Sequence, residues 1–162
     1  MDAAILIRPK RTEDGPWLAG LLESAWGSTR LVSRDRVHEG GDLQALIAEC
    51  DGRRAGALTY RIDGAKCEIV TLNGLVEGRG VGTRLLEEAA AIARRAGCRR
   101  LWLVTTNDNV TALRFYQRRG FELAALHRGA MDRARRLLKP EIPAVGMHGI
   151  PIRDEIELEM AL

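Results

Sequence analysis

Two aspartate-glycine pairs, Asp51-Gly52 and Asp63-Gly64, separate three runs of strand-forming residues, and they constrain the fold more than any other feature of this chain. An Asp-Gly pair favours the left-handed backbone of a two-residue hairpin turn, whose twist matches that of paired strands. Leu43 to Cys50, Arg54 to Ile62 and Lys66 to Leu72 are therefore expected as an antiparallel meander. The period then changes. From Val81 the apolar positions Val81, Leu85, Ala89, Ile92 and Ala96 fall on one helical face, and Gly97 is a natural stop.

Around this switch the remaining elements read as follows. Ala3 to Arg8 forms a strand that Pro9 ends, and Asp14 caps a helix through Trp17, Leu18, Leu21 and Leu22. The segment from Trp26 to Asp42 carries glycines, Ser28, Thr29 and clustered charges, and is expected as loop. RLWLVTT, Arg100 to Thr106, is a strand; Val110 to Arg119 is a short helix closed by Gly120; Phe121 to Leu126 is another strand. The basic run Met131 to Lys139 is a candidate helix, and the proline-rich stretch 139–153 a long structured loop. Asp154 to Met160 alternates acidic and apolar residues, the pattern of an exposed or edge strand. This order predicts an α/β, α+β-like layered domain over 1–162, with a mixed, mostly antiparallel sheet flanked by helices.

Composition excludes several function classes. The net charge of +3 is modest, and Arg94-Arg95, Arg99-Arg100, Arg118-Arg119 and the run Arg133–Arg136 lie at separate element ends with few aromatics between them, so no nucleic-acid stripe is indicated. Cys50, Cys67 and Cys98 form no CxxC pair and point to reduced thiols in a cytoplasmic protein. His38, His127 and His148 lie far apart, which argues against a metal site. No apolar run approaches the ~20 residues of a membrane span, and the N-terminus lacks a signal-peptide pattern.

Glycines at 78, 80 and 82 ahead of a helix let an anion approach the first-turn amides without meeting a Cβ. The segment is not a Walker loop, since Gly82 is followed by Thr83-Arg84 with no lysine. It is not a dinucleotide fingerprint either, since the spacing is G-x-G-x-G after a meander strand. The second constellation is NDNVTALRFYQRRGF, 107–121, in which Asn109, Ala112 and Tyr116 share a helical face.

Read together, the glycine turn, helix, strand and N-x-x-A-x-x-F-Y-x-x-x-G-F segment resemble the GNAT acetyltransferase superfamily, with the sharp motifs confined to 66–121. The resemblance implies that Gly78, Arg79, Gly80, Val81, Gly82 and Thr83 hold the pyrophosphate of acetyl-CoA, the co-substrate. Backbone amides of Leu72 and Asn73 would polarise the thioester. Asn109 would bond the pantetheine or anchor the Tyr helix, Tyr116 would protonate the CoA thiolate, and Glu68 would act as base through water. Glu77 stands where the family carries Arg or Gln, so binding falls to the backbone of 78–83, with Glu77 turned outward and Arg79 or Arg84 supplying charge. Asn73-Gly74 suggests a bulge that opens a slot for the pantetheine arm.

Cys67 alternates to the face opposite Glu68, which favours direct transfer in a ternary complex over an acyl-enzyme. The acceptor would be a primary amine on a small molecule or a protein, lined by Trp26, Ser28 and Thr29, with the loop around His148 folding over it. Glu155, Glu157 and Glu159 read as a solvated face that can also attract a cation. A final strand at a sheet edge would allow a homodimer. The alternative function is a non-catalytic acyl-CoA-binding sensor on the same fold.

Overall fold

The structure is a computed structural model and describes residues 4–162. The expected first strand reaches back to Ala3, which lies outside the described residues; β1 is Ile5–Pro9. The chain divides into two compact units. The first comprises the residues up to Leu31, then Glu39–Leu101 and Leu162; the second comprises Val32–His38 and Trp102–Ala161.

In the first unit, β1 pairs antiparallel with β4 (Gln44–Cys50), β4 with β5 (Arg53–Asp63), and β5 with β6 (Lys66–Gly74). The Asp-Gly turns form as expected. Asp51 and Gly52 both take positive φ (52° and 73°), and Gly64 sits at 59° in the second turn. Helix α1 (Gly15–Trp26) puts Leu18 and Leu22 against Leu31, Leu43, Ala45, Ile47 and Ala57. Helix α2 (Val81–Arg95) packs across β1, β4, β5 and β6. Gly56 faces Val81 of α2 while its neighbour Ala57 packs in the α1 cluster, so the two helices cover opposite faces of this half of the sheet. Each leucine buried this way contributes roughly 1.5–3 kcal/mol.

A buried charge hub ties β1 to the start of α1. Asp14 is 0% exposed. Its carboxylate accepts from Arg8 Nη1 (2.7 Å) and Nη2 (3.0 Å), from the Arg11 backbone N–H (2.7 Å) and from Arg54 Nε (2.8 Å). Asp14 stands at the N-cap position of α1 but makes no side-chain cap bond to it, because its oxygens serve this hub. The hydrogen bonds to Arg8 hold its carboxyl well below the usual carboxylate range, against the opposing effect of burial.

The second unit contains β7 (Arg100–Thr106) from Trp102 onward, with the order β7-β9-β8, where β9 is Glu155–Ala161 and β8 is Glu122–His127. β8 and β9 pair antiparallel. Helix α3 (Val110–Arg118) is stopped by Gly120 at φ 95°, and α4 is Ala130–Leu137. The expectation of β9 as an edge strand is wrong: it lies inside, and β8 takes the edge. Leu158 on one face and Glu155 on the other are both buried, so the alternation of β9 is that of a strand covered on both faces. A dimer through β9 thereby loses its premise.

The stretch expected as loop, 26–42, contains a hairpin of β2 (Arg30–Ser33) and β3 (Arg36–Glu39). Its turn residues, Arg34 and Asp35, both adopt positive φ (48° and 60°) without a glycine, so the usual turn signature is missing. The stretch 139–153 is an irregular hairpin closed by a bridge between Val145 and Pro151.

Candidate active site

In the first unit the glycine segment forms a turn over 75–80 that opens directly into α2. Gly78 (φ 72°) and Gly80 (φ 74°) are left-handed, and a Cβ at either would meet open space. These glycines are required by backbone conformation, and the turn surface above them is bare. Gly80 is the N-cap of α2 and offers no side-chain cap, and its carbonyl accepts from Arg84 N–H at 3.0 Å. The N–H groups of Val81, Gly82 and Thr83 precede the first intrahelical donor, the Arg84 N–H, and they carry the positive end of the helix dipole. Val81 buries its side chain, so only its backbone can face a ligand; Arg79, Glu77 and Arg84 are exposed.

Two further glycines bring α2 close to the sheet. A Cβ on Gly56 would stand 2.6 Å from the Asn73 carbonyl oxygen and 2.9 Å from Val81 Cγ1. One on Gly74 would stand 3.7 Å from Gly82 N. Gly74 thus serves the approach of the helix N-terminus, and the bulge expected at Asn73-Gly74 is absent there: both residues pair regularly, with Ala57 and Gly56. The register shift falls upstream, where Thr71 pairs Thr59 but Ile69 pairs Tyr60, leaving Val70 as the extra residue.

That shift changes which side chains share a face. Glu68 opposes Arg61, Thr71 opposes Thr59 and Asn73 opposes Ala57, so all three lie on the α1 face. Strict alternation would have put Glu68 and Asn73 on opposite faces. Glu68 is 4% exposed, neither a solvated strand residue nor an open one. Cys67 opposes Ile62 on the other face, is fully buried, and burial pushes its thiol up to about 12. Trp26 Nε1 donates to Asn73 Oδ1 at 3.1 Å, joining the end of α1 to this strand; Ser28 Oγ accepts the Arg30 N–H two residues on, and Thr29 gives its carbonyl to Gly40.

The two amides assigned to the thioester differ. Leu75 N–H donates to Ala55 O at 2.8 Å, which makes that pair a hydrogen-bonded one. By the alternation of an antiparallel ladder, Asn73 also exchanges its bonds with β5, whereas Leu72 turns its N–H and C=O away from it. Sequence reasoning could not separate them without the register.

In the second unit Asn109 is the N-cap of α3: its Oδ1 accepts from Ala112 N–H at 3.0 Å. Of the two tasks expected for it, anchoring the helix is the one seen. Tyr116, on α3, is 8% exposed and packs edge-on to Phe115 (5.1 Å between centroids) and Phe121 (5.5 Å). Burial alone raises its phenol above the ordinary value, so it stays protonated at neutral pH. Asn107 Oδ1 accepts from the N–H groups of Arg153 and Asp154 (both 3.0 Å), and Asp108 Oδ2 from Met147 N–H (3.0 Å). The Pro-rich loop is thereby tied to the turn just before Asn109. Neighbours of Asn109 in the same motif thus have a task that its helical pattern did not disclose.

Among the described residues no group of three or more His, Cys, Asp or Glu side chains could hold a metal ion, and no helix is long and apolar enough to cross a membrane.

The family model for the Acetyltransferase (GNAT) family matches residues 13–121, which include the glycine turn and Tyr116. The chain belongs to the GNAT acetyltransferase family. It is 44% identical over 140 residues to YdhI of Bacillus subtilis (strain 168), covering 86% of this chain and 87% of that protein. The IAA acetyltransferase from Bacillus cereus ATCC 14579 shares the fold at a TM-score of 0.78 with 23% identity, over 98% of this chain and all of that one. A GNAT family acetyltransferase from Elizabethkingia anophelis, with acetyl-CoA bound, does so at 0.71 with 19% identity, over 98% of each chain. The layered, mixed-sheet GNAT fold expected from the motifs is therefore the fold observed.

Proposed function

We propose that this GNAT chain moves an acetyl group from acetyl-CoA to a primary amine by direct transfer in a ternary complex. The observation that carries the reading is the bare, left-handed turn at Gly78 and Gly80, opening straight into α2 with no side-chain cap. The Elizabethkingia neighbour with acetyl-CoA bound supports acetyl-CoA as the co-substrate.

In this reading the backbone of Gly78, Arg79, Gly80, Val81, Gly82 and Thr83 cradles the pyrophosphate, with no side-chain charge needed from the exposed Glu77. The Leu72 N–H, free of the β5 ladder, polarises the thioester carbonyl and stabilises the oxyanion. The amine nitrogen attacks the carbonyl carbon, the tetrahedral intermediate collapses, and the C–S bond breaks. Tyr116 gives its phenolic proton to the departing thiolate, and Glu68 takes the amine proton through water. Asn109 holds the start of the helix that carries Tyr116. The buried, high-pKa Cys67 is a poor nucleophile, which supports direct transfer. Three buried, unpaired thiols suit a reducing, cytoplasmic setting.

The test is release of free CoA thiol from acetyl-CoA by the purified chain across a panel of primary amines. Amine-dependent release is expected. Tight acetyl-CoA binding with no release for any amine would assign the chain to the sensor class instead.

A further inference from the structure

Strand β8, in the second unit, is an edge of the sheet and lacks what usually protects one. It carries neither lysine nor proline, and Leu123 (59% exposed) and Leu126 (63%) stand open to solvent. Its one irregularity is a bulge. Leu123 pairs Leu158 and Ala125 pairs Glu157, which leaves Ala124 as the extra residue.

The bulge decides which side chains share a face. Cross-strand partners lie on one face, so Leu123 and Leu126 go with Leu158 and Ile156, while Glu122 and His127 go with Glu159 and Glu155. In an unbroken strand, residues an odd number of positions apart point to opposite faces, and neither pair would match. With the extra residue, ELAALH becomes symmetric about its Ala124-Ala125 centre: two leucines on one face, an acid and a base on the other.

We propose that β8 pairs antiparallel with β8 of a second copy of this chain, about a two-fold axis between Ala124 and Ala125. Such an axis stands perpendicular to the sheet, so each residue and its opposite number must lie on the same face. In this register Leu123 of one copy meets Leu126 of the other at two symmetric points, joining four leucines in one stripe. Ala124 meets Ala125, so the two extra residues lie opposite each other; a straight strand would not fit the bulge. Glu122 meets His127, whose Nε2 is engaged by Glu157 at 2.9 Å and whose Nδ1 is left for the new carboxylate. The outward N–H and C=O groups of the edge gain partners along the same contact.

The test is sedimentation velocity of the whole chain from about 1 to 500 μM. A reversible monomer–dimer equilibrium in the micromolar range is expected, because a strand contact of 6 residues lies at the small end of specific interfaces. Leu123→Glu and Leu126→Lys should each weaken the dimer about tenfold or more, since each sets a charge against a leucine at both symmetric points. Their equimolar mixture should recover most of that loss: the introduced acid of one copy meets the introduced base of the other, and the second leucine pair stays native. Both positions are exposed in the single chain, so urea unfolding of the monomers should match the native one. A native chain that stays monomeric throughout, a dimer that survives either substitution, or a mixture no tighter than its components would overturn the proposal. Assembly beyond the dimer would overturn it equally, since a closed two-fold contact does not allow it. Should one variant fail to fold, the native chain and the other variant still decide the first two outcomes.

Discussion

Asp14 in the first unit and Glu155 in the second are both buried carboxylates, and they are treated in opposite ways. Asp14 receives four hydrogen bonds, three of them from arginine side chains, and its pKa is driven down. Glu155 receives one long bond, keeps one oxygen unpaired, and burial raises its pKa. The contrast recurs at other buried groups of the two units, with Asp154 of the second unit an exception, since it accepts from Arg153 and the Gly129 N–H and is shifted down like Asp14. In the first, Thr59 and Thr71 bury their hydroxyls 2.6 Å apart, each satisfying the other. In the second, Asp108 Oδ1 is also buried without a partner, and the Tyr116 phenol is shifted by burial alone. A buried polar group that is fully partnered holds a fold; one left short of partners is costly to the fold and available to a ligand. The first unit presents a bare glycine turn, and the second holds two buried carboxylate oxygens that have no partner.

The largest effect that could break this comparison is on stability. Asp14→Asn takes away the anion of Arg54 and leaves Arg8 with Glu49 alone, and a loss of about 3–5 kcal/mol is expected in urea unfolding, as for other broken buried pairs. A loss under ~1 kcal/mol would mean the hub is ornamental. Because the folded pKa of Asp14 is depressed, its contribution is full above the unfolded value near ~4 and is lost as pH falls through the folded one.

Next comes the cradle. Gly80→Ala places a Cβ on a left-handed N-cap, and a cost of about 1 kcal/mol in stability is expected from the strain. Acetyl-CoA affinity should fall with it. Unchanged affinity would show that the backbone at 80 does not contact the coenzyme.

Glu155→Gln gives the opposite sign to Asp14→Asn. The folded pKa of Glu155 is raised, so its own contribution to stability is full below the unfolded carboxylate value and is lost as pH rises through the folded one. His127, Arg34 and Asp35 act on the same carboxyl, so the profile reports the cluster. The glutamine variant should match or slightly exceed the native chain at neutral pH and flatten that part of the profile; marked destabilisation there would place Glu155 with Asp14. The smallest effect is expected at Glu77. It is exposed in the turn, so Glu77→Gln should leave coenzyme affinity equal or slightly better by equilibrium binding. A large loss would show that the turn binds through that side chain.

How much of this was legible in the sequence follows from where local chemistry decides the backbone. The Asp51-Gly52 turn and the Gly97 stop of α2 (φ 83°) carry their conformations in their own residues, and both formed where expected. The β2-β3 hairpin did not announce itself, because Arg34 and Asp35 reach left-handed φ without a glycine, under the contacts that Glu155, Glu157 and Arg133 make with them. The bulge was sought at Gly74, but that glycine answers to the approach of α2, and the extra residue is Val70, a β-branched residue with no local signal. The same tertiary cause hid Glu155. An acidic and apolar alternation looks identical in a solvated strand and in one covered by a hairpin from 121 residues earlier in the chain. The glycine turn and the Asn109 cap were visible because their chemistry is local: a turn needs its glycines, and a cap residue precedes its own helix.

The most direct test of the account is Tyr116→Phe, measured for thiol release and unfolding free energy on the same preparation. The phenyl ring keeps the packing against Phe115 and Phe121, so stability and acetyl-CoA affinity should be unchanged within ~0.5 kcal/mol. Loss of the phenolic proton should lower kcat about a hundredfold. A variant that turns over at the native rate would contradict the assignment of Tyr116 as the acid, and with it the claim that the second unit supplies the proton for the leaving thiolate.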